Sequence, residues 1–354
     1  MKNYSENNRI LWIDILRIIS AFAVIILHIA AKGSFEQFGA RTFEWQICNF
    51  YNSISRFCVP VFVMVSGVFL LNPERNYSIK ILFQKKILRI IISFLFWSIF
   101  YTIVEIIKTH NLETIQWKTL LFGIIKGHFH MWFMYMIIGL YIITPLIRMI
   151  NKDEKMTVYY LVLSFIFVFI YNPLNFFPPI KELLAISVSQ LGLSVISGFS
   201  GYFILGYYLS RHKLSYSTRK CIYIIGVLAI IGTIGINGCL GYYYNNHHIV
   251  LMYNYLYPNI LFMSIFVFVY FQYNFQSVHF SENIEKIVSY IGKLSFGIYL
   301  VHAFYFENIH IIGINHFFCN PIFSIPIVSI LIFLLSLITV YIINKIPYIN
   351  KYII

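Results

Sequence analysis

The chain has 354 residues, of which 59% are hydrophobic and only 11% charged. Soluble domains carry roughly 45–50% and 25%, which excludes a soluble globular fold. The formal net charge of +13 does not point to nucleic acid, because no soluble stretch exists to hold a basic face; in a multi-pass chain, excess Lys and Arg mainly set topology.

The apolar residues run in long unbroken stretches, not in alternation. That pattern predicts an all-α integral membrane bundle and argues against an outer-membrane barrel. About ten spans are expected, at 10–31, 54–71, 87–107, 131–150, 158–172, 191–209, 221–240, 256–273, 289–309 and 322–343. The connections are short, so residues 1–354 read as a single membrane domain without a soluble appendage. No internal repeat is visible, which weakens an inverted-repeat transporter reading. The first run is too long for a signal-peptide core and no small-residue cleavage site follows it, so it is expected to stay as the first helix. Taking connections alternately, the side that holds the N-terminus carries most of the 26 lysines and arginines, among them Lys2, Arg9, Arg75 and Lys351. The other side has fewer, Lys181 being one. Both termini are therefore expected in the cytoplasm.

The first span carries Asp14, Arg17 and His28. A charge at mid-membrane costs about 2.5–3.5 kcal/mol on insertion scales, so each is a candidate functional group. Asp14 and Arg17 are an i, i+3 pair, and His28 returns to nearly the same face roughly 16 Å further along the axis. In the second span, Pro60 and Ser66-Gly67 are expected to interrupt the helix. The stretch from Lys80 to Arg89 opens the third span with Lys85, Lys86 and Arg89. It reads either as an anchor on acidic lipid or as a phosphate clamp.

His130-Met131-Trp132-Phe133 opens the fourth span at the expected outer face, level with His28. The ninth span contains Gly292 to His302, in which Ser295, Tyr299 and His302 fall at i, i+4, i+7 and share a face. Taken alone, His302 could equally be a satisfied structural histidine. The five cysteines, Cys48, Cys58, Cys221, Cys239 and Cys319, have no metal-like spacing and are expected as free thiols. No P-loop, nucleophile elbow, nucleotide-binding glycine fingerprint or metal-spaced cluster is present. These residues outline a polar path from an inner basic cluster to an outer histidine. It would serve transfer of a group from a phosphate-bearing donor; a glycolipid flippase or other transporter, or a glycan polymerase, would use the same path without acyl chemistry.

Arg17 and His28, separated by ten residues, resemble the first-helix signature of the acyltransferase-3 family of multi-pass membrane acyltransferases. Trp12–Arg17, Val59–Gly67, His130–Phe133 and Ser295–His302 follow in that family's order. Within the family the likeness is greatest to the enterobacterial common antigen O-acetyltransferase group. The resemblance implies a bacterial plasma-membrane enzyme using acetyl-CoA, without a metal, to O-acylate a surface glycan or its lipid-linked precursor. It implies that His28 is catalytic and Arg17 essential. A mechanism that fits this has His28 as general base or as carrier of the acyl group itself, with Asp14 orienting Arg17. His130, Trp132, Ser295, Tyr299 and His302 would support substrate. The resemblance associates a basic pair at the third helix with the donor; here Lys86-Ile87-Leu88-Arg89 has Lys in the first position, which loses bidentate geometry.

Overall fold

The computed structural model describes residues 11–73, 78–109, 117–174, 198–248, 250–278, 280–347 and 352–353. Lys2, Arg9, Arg75, Lys181 and Lys351 lie outside that set. In chain order the helices begin with α1 (Leu11–Lys32), α2 (Phe43–Ser55), α3 (Cys58–Leu70), α4 (Leu88–Thr109), α5 (Trp117–Lys126) and α6 (Trp132–Ile150). They continue with α7 (Glu154–Ser164), α8 (Ser200–Arg211), α9 (Tyr216–Tyr244), α10 (Pro258–Phe275), α11 (Glu282–Asn308) and α12 (Pro321–Asn344). Among the described residues there is no strand, and nine helical stretches are long and apolar enough to cross a bilayer. Residues 191–197 of the expected sixth span lie outside the described residues, and its remainder is α8.

Lipid offers no partner to a backbone N–H or C=O, so the chain closes those bonds within helices. Where helices start, side chains take over the orphan donors. Thr42 accepts from Trp45 N at 3.2 Å, Asp153 from Lys155 N at 2.8 Å and Ser215 from Thr218 N at 3.1 Å. Pro258 and Pro321 sit in first turns, where a missing N–H costs nothing.

Helix α1 is central. Ile13, Leu16, Ile25 and Ile29 are fully buried, and the helix is flanked by α2, α3, α10, α11 and α12. Helices α3 and α8 cross closely at two glycines. A Cβ on Gly67 would enter the Phe203 carbonyl, and one on Gly206 the Met64 carbonyl. Small residues permit such backbone approach in membranes.

Two expectations need correction, the bounds of the second span and the break at Ser66-Gly67. The expected second span, 54–71, is preceded by α2, and together they form the stretch Phe43–Leu70 with a break at Arg56 and Phe57. The break matches the interruption expected at Pro60, the third residue of α3: Pro60 has no N–H for the Arg56 carbonyl four residues back, so the helix is broken one turn before the proline. Ser66-Gly67 does not interrupt the helix: Ser66 Oγ donates to the Phe62 carbonyl one turn back at 2.9 Å, and Gly67 serves the α8 crossing. The five cysteines are free, Cys48 and Cys58 buried and the other three exposed.

Candidate active site

The polar residues of α1 lie at two levels. At the lower level Asp14 is buried, 3.6 Å from Arg17, and its carboxylate accepts from Ser289 Oγ of α11 at 3.0 Å. The Arg17 guanidinium lies over the Phe69 ring, 4.7 Å from its centroid. Gly292 makes room for this arrangement; a Cβ there would stand 2.7 Å from Asp14 Cβ.

Arg17 lines a cavity of about 270 Å³ together with Ser66, Lys86, Arg89, Tyr141 and Lys293. Four cations from three separate stretches of chain converge there, a concentration of positive charge suited to an anionic ligand. Of the three basic residues expected at the third span, Lys86 and Arg89 line this cavity and Lys85 does not. Ser295 lines it further along α11, its hydroxyl bonded to the Gly292 carbonyl at 2.9 Å.

At the upper level three imidazoles gather from three segments. The His28 ring stacks on His302, centroids 5.3 Å apart, and His302 meets His130 edge-on at 5.2 Å. Phe129 closes on His28 at 5.1 Å. A second cavity of about 30 Å³ is lined by His28, Cys58, His130, Trp132, Tyr255 and Tyr299, among others. Trp132 offers it one side and is otherwise 42% exposed. Arg56, at the break between α2 and α3, lies over the Tyr253 ring at 4.2 Å and bonds Asn52 Oδ1 at 2.9 Å. Burial raises the Tyr255 phenol above its ordinary value, so it remains a neutral hydroxyl donor.

Phe133 and Tyr299 line both cavities and therefore stand between them. The Tyr299 hydroxyl donates to the His130 carbonyl, which ties α11 to the turn before α6. The face of α11 bearing Ser295, Tyr299 and His302 runs from the basic cavity through this partition to the imidazoles. His302 is thus part of the cluster. Sequence reasoning missed two contributors. Lys293 carries no signal beyond its charge, and Tyr255 sits in a short loop without a motif. No group of three or more His, Cys, Asp and Glu side chains is arranged to hold a metal among the described residues.

Fold and site together define a multi-pass helical membrane protein with a basic cavity and an imidazole cluster on either side of a thin aromatic partition. A family model described as an acyltransferase domain matches residues 10–343, and the chain belongs to that family of membrane acyltransferases. No curated protein and no solved structure matches the chain.

Proposed function

We propose that the protein moves an acyl group, acetyl in the first instance, from acyl-CoA onto a hydroxyl of a cell-surface glycan or its lipid-linked precursor, at the bacterial plasma membrane. The observation that carries this is the pair of cavities sharing Phe133 and Tyr299. One is lined by Arg17, Lys86, Arg89 and Lys293, which suits the phosphates of a CoA thioester. The other is lined by His28 and His130, which suits activation of a hydroxyl.

In this mechanism Lys86, Arg89 and Lys293 hold the donor phosphates. Arg17, oriented by Asp14, faces the thioester and offsets charge developing on its carbonyl oxygen. His28 takes the acceptor hydroxyl proton, the lone pair of its neutral imidazole acting as general base. The thioester C–S bond breaks, the ester C–O bond forms, and the CoA thiolate takes its proton from water on the donor side. Trp132 and Tyr255 flank the acceptor.

The test uses purified protein, radiolabelled acetyl-CoA and a lipid-linked glycan extract. Label should enter glycan with wild type and not with His28→Ala, while both bind acetyl-CoA. Full transfer by His28→Ala removes this mechanism. A wild type that moves label across a membrane without forming an ester is a transporter.

A further inference from the structure

His28 must lose its proton before a second turnover, and the structure provides a route. Glu307, near the end of α11, accepts from Lys108 Nζ at 3.2 Å and pairs with His128 Nε2 at 2.9 Å. His128 Nδ1 lies 3.0 Å from His130 Nδ1. The bonding pattern fixes the tautomers. A carboxylate only accepts, so His128 carries its proton on Nε2. Its Nδ1 is then a lone pair, so His130 carries its proton on Nδ1. His130 Nε2 is left as a bare basic nitrogen, and it is buried with no hydrogen-bond partner among the described residues. His130 also lines the cavity that His28 lines, whose 30 Å³ gives room for a water molecule or two.

The chain of groups is held rigidly. His128 stacks on Tyr101 at 4.2 Å, and Tyr101 is pinned by donating to the Leu300 carbonyl at 2.7 Å and accepting from Phe304 N at 3.2 Å. Side-chain exposure rises from 12% at His128 to 30% at Glu307 and 38% at Lys108. The chain therefore leads from a buried imidazole to solvent.

We propose that His130, His128 and Glu307 form a proton-exit relay that discharges His28 after each acyl transfer. This rests on the reading of His28 as the base. Protonated His28 passes its proton through a cavity water to His130 Nε2. His130 releases the proton on Nδ1 to His128 Nδ1, and His128 releases the one on Nε2 to the Glu307 carboxylate, which loses it to water. One proton enters and one leaves; the two rings are left as their other tautomers, and water-mediated proton exchange at each ring restores the starting form before the next turnover. His128 and Glu307 touch no substrate and act through His130.

The relay predicts a separation that a structural role does not. In rapid-mixing assays with radiolabelled acetyl-CoA and excess lipid-linked glycan extract, His128→Gln and Glu307→Gln should complete the first turnover at close to the wild-type rate. Steady-state turnover should then fall about tenfold or more, on the order of what a lost acid–base partner costs. The double variant should be no slower than His128→Gln, because both interrupt one path. First-turnover and steady-state rates falling together, or neither falling, would overturn the relay while leaving acyl transfer intact. A wild type that transfers no label sinks the acyl-transfer reading, and the relay with it.

Discussion

At the scale of single residues, the basic cavity separates neighbours in sequence. Lys86 and Arg89 line it, whereas Lys85 does not. A charge-assisted hydrogen bond is worth about 1.5–3 kcal/mol, roughly ten- to a hundredfold in affinity. Lys86→Gln and Arg89→Gln should therefore each raise the KM for acetyl-CoA about tenfold or more, more strongly at low salt. Lys85→Gln should leave it within about twofold, since Lys85 lies outside the cavity lining. Steady-state kinetics at two ionic strengths checks this, and equal effects at all three positions would mean a lipid anchor instead of a clamp. Gly292 offers a second residue-scale check. A methyl there would stand 2.7 Å from Asp14 Cβ and 2.9 Å from its carboxyl carbon, so Asp14 must move. Gly292→Ala should lower thermal stability, with overpacking of this kind costing about 1–3 kcal/mol. It should also lower transfer by displacing Arg17, as a thermal shift and an activity assay on one preparation would show.

At the scale of elements, periodicity decided what could be read in advance. The Asp14, Arg17, His28 stripe and the Ser295, Tyr299, His302 stripe were legible because each lies on one helix and follows its turn. Helix α2 was not, because Gln46, Asn49 and Asn52 break its apolar run. Their partners are distant: Asn49 Nδ2 donates to the Ile234 carbonyl at 2.9 Å and Gln46 Nε2 to the Gly238 carbonyl at 3.3 Å, both on α9. Polar side chains that bond across helices look like loop residues until the neighbour is known. The meeting of His28, His130 and His302 was hidden for the same reason, since three segments supply it. Of the breaks expected at Pro60 and Ser66-Gly67, only the first is present. Pro60 has no N–H for the turn before it and the helix is broken there, whereas Gly67 fits a neighbour instead of bending its own helix. That neighbour gives an element-scale prediction. Gly206→Leu would drive a side chain into the Met64 carbonyl, so α8 must separate from α3. Detergent-solubilised protein should lose its monodisperse gel-filtration peak or melt well below wild type. Unchanged melting would mean that the crossing is not tight.

At the scale of the whole molecule, the two cavities pose a problem of insulation. If the protein acts as proposed, a thioester held at the basic cavity must reach an imidazole without being hydrolysed. The partition that could enforce this is thin, because Phe133 and Tyr299 face both cavities and their rings lie 5.4 Å apart. Phe62 backs Phe133 at 6.2 Å. Tyr299 is further held by its bond to the His130 carbonyl, so Phe133 is the side chain whose removal opens the passage with least damage elsewhere. Truncating a large aromatic in a packed site costs about 3–5 kcal/mol, a loss the surrounding bundle must tolerate for the test to be read, and a melting curve reports whether it does. If the partition insulates the thioester, Phe133→Ala should raise acetyl-CoA hydrolysis relative to glycan transfer several-fold, because water then reaches the site that excluded it. The ratio of free labelled acetate to labelled glycan measures this directly. A folded Phe133→Ala protein in which hydrolysis and transfer change in step would show that the aromatic pair fills space without guarding the thioester, and the insulation would then have to come from the acceptor itself.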